Sequence, residues 1–116
     1  MNTDNRSASQ RNSQTHTGTG PPLFSLGWIV ATPAALALLE KNDVQPATLL
    51  QRHVHGDWGD MDKSDRLAND ASVKDGSRIF SSYLLNKTDK VWVITEAVGH
   101  NGVIRASTCI LLPSEY

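Results

Sequence analysis

Residues 52–60 read Arg-His-Val-His-Gly-Asp-Trp-Gly-Asp. Within nine positions they gather two imidazoles, two carboxylates, a guanidinium and an indole around two glycines. An imidazole that titrates near neutrality is the ordinary carrier of a proton in acid–base chemistry. His53 is therefore the candidate general base, and Glu96 a candidate acid or base. Arg78 and Arg105 are candidate phosphate clamps, with Ser81 and Tyr83 as hydrogen-bond donors. That set is the inventory of a small metal-independent ribonuclease. Strand alternation counts against it, because Arg78 and Tyr83 fall on opposite faces of one regular strand. His53, Asp57 and Asp60 also have the ligand types of a divalent-cation site. Their spacing matches no chelating pattern, so no metal and no cofactor is assigned.

The same loop can be read as a contact surface. A solvated loop rarely needs a tryptophan, and a core rarely tolerates unpaired carboxylates. Asp57, Trp58, Asp60, Asn69 and Tyr83 are accordingly the candidate binding residues. Trp92 and Tyr116 are further anchor candidates, and the carboxylates of Asp57, Asp60, Asp62 and Asp65 could mimic phosphates. The plain alternative is that Asp57 caps the loop and Trp58 plugs the core.

These residues need elements to hold them. Residues 1–22 are rich in Asn, Thr, Ser, Gln and Gly and end in Gly-Pro-Pro. They bury too little apolar area to offset ordering entropy, and the reading is a disordered tail. Residues 23–116 form the single domain. Phe24 to Ala31 is an extended entry segment. Thr32-Pro33 is a helix start, with a hydroxyl cap followed by proline. A second helix begins at Pro46 and carries Leu49 and His53 on one face, four residues apart. Gly56 stops it. A third helix runs from about 63 to 74, capped by Asp62 or Ser64, with Leu67, Ala68 and Ala71 facing inward and Gly76 closing it. Strands follow at 78–85, 90–98 and 103–112, joined by turn-rich links. Trp28 and Trp92 lie in apolar runs and are assigned to the core. The fold class is α+β, with N-terminal helices packed on a C-terminal antiparallel meander of three or four strands.

Composition narrows the function. Outside the tail there are 9 basic and 11 acidic residues, a net of −2. Such a domain has no general electrostatic grip on nucleic acid. The single Cys109 permits no internal disulfide and fits a reducing cytoplasm. Its apolar neighbours mark it as a strand thiol rather than a nucleophile. No secretory signal precedes Leu23, and the apolar run from 23 to 39 is interrupted and short for a bilayer. The expected setting is cytoplasmic, without membrane contact.

Several short motifs resemble a family of small bacterial proteins carried on plasmids and other mobile elements. They are Ala31-Thr32-Pro33, Leu49-Leu50 with Arg52-His53, Gly56-Asp-Trp-Gly-Asp60, Asn69-Asp70, Gly76 with Arg78, Ser81 with Tyr83, Val93-Ile-Thr-Glu96 and Leu111-Leu-Pro-Ser-Glu-Tyr116. Many members of that family carry the label of a type I restriction system modification subunit. The resemblance covers the chain after residue 23 and implies a fold and a genomic setting. Two departures stand out. Residues 98–103 look inserted, and Arg105 is the counterpart of the family's arginine without its acidic partner. The modification-subunit label fails on physical grounds. A DNA methyltransferase needs a glycine-rich cofactor loop and a motif that holds a flipped base, and this chain has neither. The expectation is a mobile-element accessory protein acting through protein–protein contact, in an anti-defence or host-interaction role. The alternative is the small ribonuclease built on His53 with Arg78, Arg105 and Glu96.

Overall fold

The computed structural model describes residues 20–100, 102 and 104–116. The expected tail, residues 1–22, lies outside them except for its last three positions. A short strand, β1 (Trp28–Ala31), comes first. The helices α1 (Pro33–Lys41), α2 (Pro46–Val54) and α3 (Lys63–Asp75) follow. The strands β2 (Ile79–Leu84), β3 (Lys90–Thr95) and β4 (Ser107–Leu111) complete the domain, with a 3-10 turn at Pro113–Glu115.

Local chemistry sets the helix ends. The Thr32 hydroxyl accepts the Ala35 N–H at 3.1 Å, and Pro33 sits where no amide proton is needed. Asp62 accepts the Asp65 N–H at 2.9 Å and starts α3. Gly76 ends α3 in the left-handed region at φ +85°, and a Cβ there would stand 2.7 Å from Val98 Cγ2.

The sheet is four-stranded and mixed, in the order β1-β4-β3-β2. β2 and β3 pair antiparallel, as do β3 and β4, but β1 lies parallel to β4. This corrects the expected purely antiparallel meander. It also corrects the expected helices-first order, because one strand precedes all three helices and a 3-10 turn follows the last strand. The turn signals that mark the two hairpins are local. Nothing local specifies that residues 28–31 return beside β4 after a long crossover, as parallel neighbours require.

Cross-strand register sorts the side chains onto two faces. Ile79, Ser81, Tyr83, Val91, Val93, Thr95, Thr108 and Ile110 point one way. Ala35 and Leu39 of α1 and Leu49 of α2 close over that side and make the core with Tyr83, Val91, Val93 and Ile110. Each such aliphatic side chain contributes about 1.5–3 kcal/mol on full burial. Phe80, Ser82, Trp92, Ile94 and Cys109 point the other way; among the described residues α3 flanks this side along β2, and Ser82 and Ile94 are buried while the rest is partly open.

Three expected core assignments change. Trp92 is only partly buried, because its register with Ser82 and Leu111 turns it away from the helix-covered side, where it lines a groove. Trp28 is 80% exposed, because it projects from an edge strand onto the partly open face. The inner side of α3 is polar, with Asn69 and Ser72 buried while Leu67 is exposed. That helix packs against a strand edge, where backbone groups rather than methyls await partners.

Candidate functional site

His53 leaves α2 on the same face as Leu49 and enters the core completely, at 0% exposure. Two inward hydroxyls meet it. Nδ1 lies 2.6 Å from Ser81 Oγ, and Nε2 lies 2.9 Å from Thr95 Oγ1. Thr95 Oγ1 lies 2.6 Å from Thr108 Oγ1, which donates to the Leu26 carbonyl at 2.7 Å. The direction of the whole chain follows from its last link. A carbonyl only accepts, so Thr108 spends its proton on Leu26 and must accept from Thr95. Thr95 then accepts from His53, which places the imidazole proton on Nε2. Nδ1 is left as an acceptor for the Ser81 O–H. Burial disfavours a second proton on Nδ1 and keeps the ring neutral. That burial, and next the charge of Arg105, push its pKa down from 6.5 to about 3. Phe24 and Trp58 pack edge-on against it, at 5.2 and 6.0 Å between ring centres.

The segment after α2 is fastened at nearly every residue. Arg52 Nε donates to Asp57 Oδ2 at 2.6 Å, and its guanidinium lies over the Tyr83 ring at 4.5 Å. The Tyr83 hydroxyl donates to the Asp57 carbonyl at 2.6 Å, and burial raises its pKa from the ordinary value. Trp58 is 3% exposed and sends its indole N–H to Asp70 of α3 at 3.0 Å. The Trp58 carbonyl accepts from Ser82 N at 3.0 Å, and Asp60 N donates to Ser82 O at 2.6 Å. The loop therefore brackets Ser82 like a one-residue fifth strand. Gly59 makes this approach feasible, since a Cβ there would stand 2.1 Å from the Ser82 carbonyl. Asn69 completes the seal. Its amide donates to Phe80 O at 2.6 Å and its carbonyl accepts Phe80 N–H at 3.1 Å.

Arg105 is the second buried polar anchor, at 3% exposure. It donates to the carbonyls of Ser77, Glu96 and Ser72 at 2.7, 3.0 and 3.1 Å. Ser72, whose carbonyl also accepts the Gly76 N–H at 2.9 Å, is in the last turn of α3, where the helix dipole favours a cation. Burial lowers its pKa from the ordinary value, and Asp75 opposes that shift.

Across the sheet, Arg78 meets the Tyr116 hydroxyl and pairs with Glu96 at 3.8 Å. Tyr116 packs on Trp92 at 5.6 Å, and Trp92 on Phe80 at 4.6 Å. Between this aromatic row and the first turns of α3 lies a groove of about 490 Å³. Phe80 and Trp92 line it with Arg78, Lys90, Asp60 and Asp65. Lys90 and Asp60 pair across it at 3.4 Å.

The expected site residues therefore separate into three groups. His53 and Arg105 lie on the core side and serve the interior. Asp57, Trp58, Asn69 and Tyr83 close the β2 edge. Asp60, Arg78 and Glu96 are at the surface, the first two lining the groove. An imidazole bonded at both nitrogens and shut off from solvent is not placed to take a proton from a ribose hydroxyl. Among the described residues no group of three His, Cys, Asp or Glu side chains is disposed to hold a metal. Sequence reasoning placed Thr95 only beside Glu96 at a strand end, as a site or a strand exit, and missed Thr108, Phe80 and Lys90 as members of these groups. Alternation could have found the two threonines, because hydroxyls at inward positions of β3 and β4 need a buried partner. No helix among the described residues is long and apolar enough to cross a membrane. Comparison with protein-family models, with curated proteins and with solved structures finds no match.

Proposed function

We propose that this protein works by binding another protein through the partly open face of its sheet. The observation that carries the reading is the row Phe80–Trp92–Tyr116 beside the groove, an aromatic floor with charges of both signs at its rim. Aromatic anchors with an adjoining arginine are the usual centre of a protein interface. A groove of this size admits side chains of a partner. The near-neutral charge of the domain suits a protein partner better than nucleic acid. The mobile-element setting implied by the sequence resemblance agrees with a partner in host defence or replication. In this reading His53, Arg105 and the 56–60 loop shape the surface rather than act on a substrate.

The test is comparative capture from host lysate. The wild-type chain should retain a discrete protein that Trp92→Lys and Phe80→Ser lose, with circular dichroism unchanged. An identical capture profile for wild type and both variants would overturn the reading. RNA cleavage by pure wild type that is lost in His53→Gln would favour the ribonuclease instead.

A further inference from the structure

The two edges of the sheet are finished in opposite ways. At β2 the outward backbone groups of Phe80 and Ser82 are taken by Asn69 and by the Trp58–Asp60 bracket. At β1 the strand order ends, and among the described residues nothing pairs with its far side. Trp28, Ile29 and Val30 there are 80, 52 and 48% exposed. Natural edges are blunted by lysine, proline or a bulge, because a bare ladder recruits another strand. This edge has no such charge. Between Arg11 and Glu40 the chain has no Asp, Glu, Lys or Arg.

Backbone parity tells which groups are open. Trp28 N and Thr32 N donate inward, to Ala106 O and Ile110 O of the β4 side. In a parallel ladder alternate residues face the same neighbour. Ile29 and Ala31 therefore turn their N–H and C=O groups outward.

We propose that β1 pairs antiparallel with β1 of a second copy about a two-fold axis. Outward groups must meet outward groups, and with Ile29 opposite Ala31 of the other copy every outward N–H and C=O of both strands finds a partner, with Val30 opposite Val30 at the axis. This arrangement keeps the partly open faces on the same side, so the two four-stranded sheets become one of eight strands. A second copy is the fitting occupant for two reasons. An uncharged edge offers a charged strand nothing in exchange for desolvation, and it is self-complementary across a two-fold. The size of the contact sets its strength. Trp28 contributes on the order of 200 Å². With Ile29 and Val30 each copy offers roughly half of the ~800 Å² per partner in a standard interface. The dimer is thus weak and reversible. It uses the β1 edge and not the groove, so it stands or falls apart from the proposed function.

Sedimentation velocity on the full chain reads the mass across a concentration series. The mass should climb from 12.7 kDa toward twice that value. Trp28→Lys, at the most exposed position, should weaken association at least tenfold with an unchanged melting temperature. Ile29→Lys should do the same at an outward position of the paired ladder. Amide exchange gives the signature of the register. Ile29 and Ala31 should gain protection as concentration rises, while Trp28 and Val30 should not change. A mass of 12.7 kDa at every concentration overturns the proposal. So does a dimer that survives Trp28→Lys intact, or one without added protection at Ile29.

Discussion

The buried imidazole makes a quantitative prediction about acid. In the unfolded chain a histidine titrates near 6.5. In the folded domain His53 titrates at about 3. Between those values the unfolded chain carries a proton that the native state refuses, so stability falls as pH falls. The full contribution is present above pH 6.5 and is gone near pH 3. Within the window the slope is about 1.4 kcal/mol per pH unit. At pH 4.5 the loss from this one residue is about 2.7 kcal/mol, and over the whole window about 5 kcal/mol. Against a total stability of 5–15 kcal/mol for an ordinary domain, that is enough to unfold it in mild acid. Urea denaturation followed by tryptophan fluorescence, at half-unit steps from pH 7.5 to 4, measures the slope. His53→Gln removes the proton-binding group and should flatten the curve between pH 6.5 and 4.5, whatever it does to stability at pH 7. The described carboxylates held below their usual range, Asp75, Asp89 and Glu115, lose their contribution in more acidic solution. They are unchanged in the variant, so the difference between the two curves isolates His53. Imidazole nitrogen shifts give an independent reading, with the proton on Nε2 at pH 7. A His53 ring that titrates near 6.5, or a wild-type stability flat from pH 6.5 to 4.5, would refute the derivation of a neutral, sealed imidazole.

Three further outcomes are expected. Asn69→Ala should cost about 2–3 kcal/mol in urea denaturation, because it leaves both the N–H and the C=O of Phe80 unpaired at a buried edge. Gly59→Ala places a methyl on the Ser82 carbonyl at φ +80° and should lower the melting temperature by several degrees, with faster amide exchange at Ser82 as the loop lifts away. Arg105→Lys should cost about 2–3 kcal/mol by thermal denaturation, since an ammonium cannot reproduce the guanidinium fork that reaches Ser72, Ser77 and Glu96.

Much of the architecture is written in short-range chemistry. The Thr32-Pro33 cap, the Asp62 cap, the Gly76 stop and the two hairpins all follow from groups a few residues apart, and the helices and strands stand close to where those groups predict. What escaped is set by partners distant in the chain. The parallel seat of β1 depends on residues 107–110, and nothing within 28–31 encodes it. The polar inner side of α3 defied hydrophobic patterning because its partner is a backbone edge. The candidate site was legible as a place but not as a chemistry. The density of polar residues at 52–60 correctly marked an organised loop. The same residue types that make an active site also make a latch, and only burial and bonding separate the two. His53 lies four residues from Asp57 in the chain, yet its bonds go to Ser81 and Thr95, across the sheet. The groove lining of Phe80 and Lys90 went unnoticed because outward strand positions carry no periodic signal of their own.

Arg105 also bears on how this chain tolerates change in length. The connection between β3 and β4 is pinched at its root, where Val98 bridges to Arg105, Val98 N donates to Gly76 O at 2.8 Å, and Gly99 N donates to Ile104 O at 2.9 Å. The guanidinium then nails that root to the end of α3. Whatever is spliced in or trimmed between residues 99 and 104 is mechanically isolated from the strands on either side. Residues added there would lengthen the connection without re-aligning a single rung of the sheet, and the spot is the natural place to graft a tag or epitope.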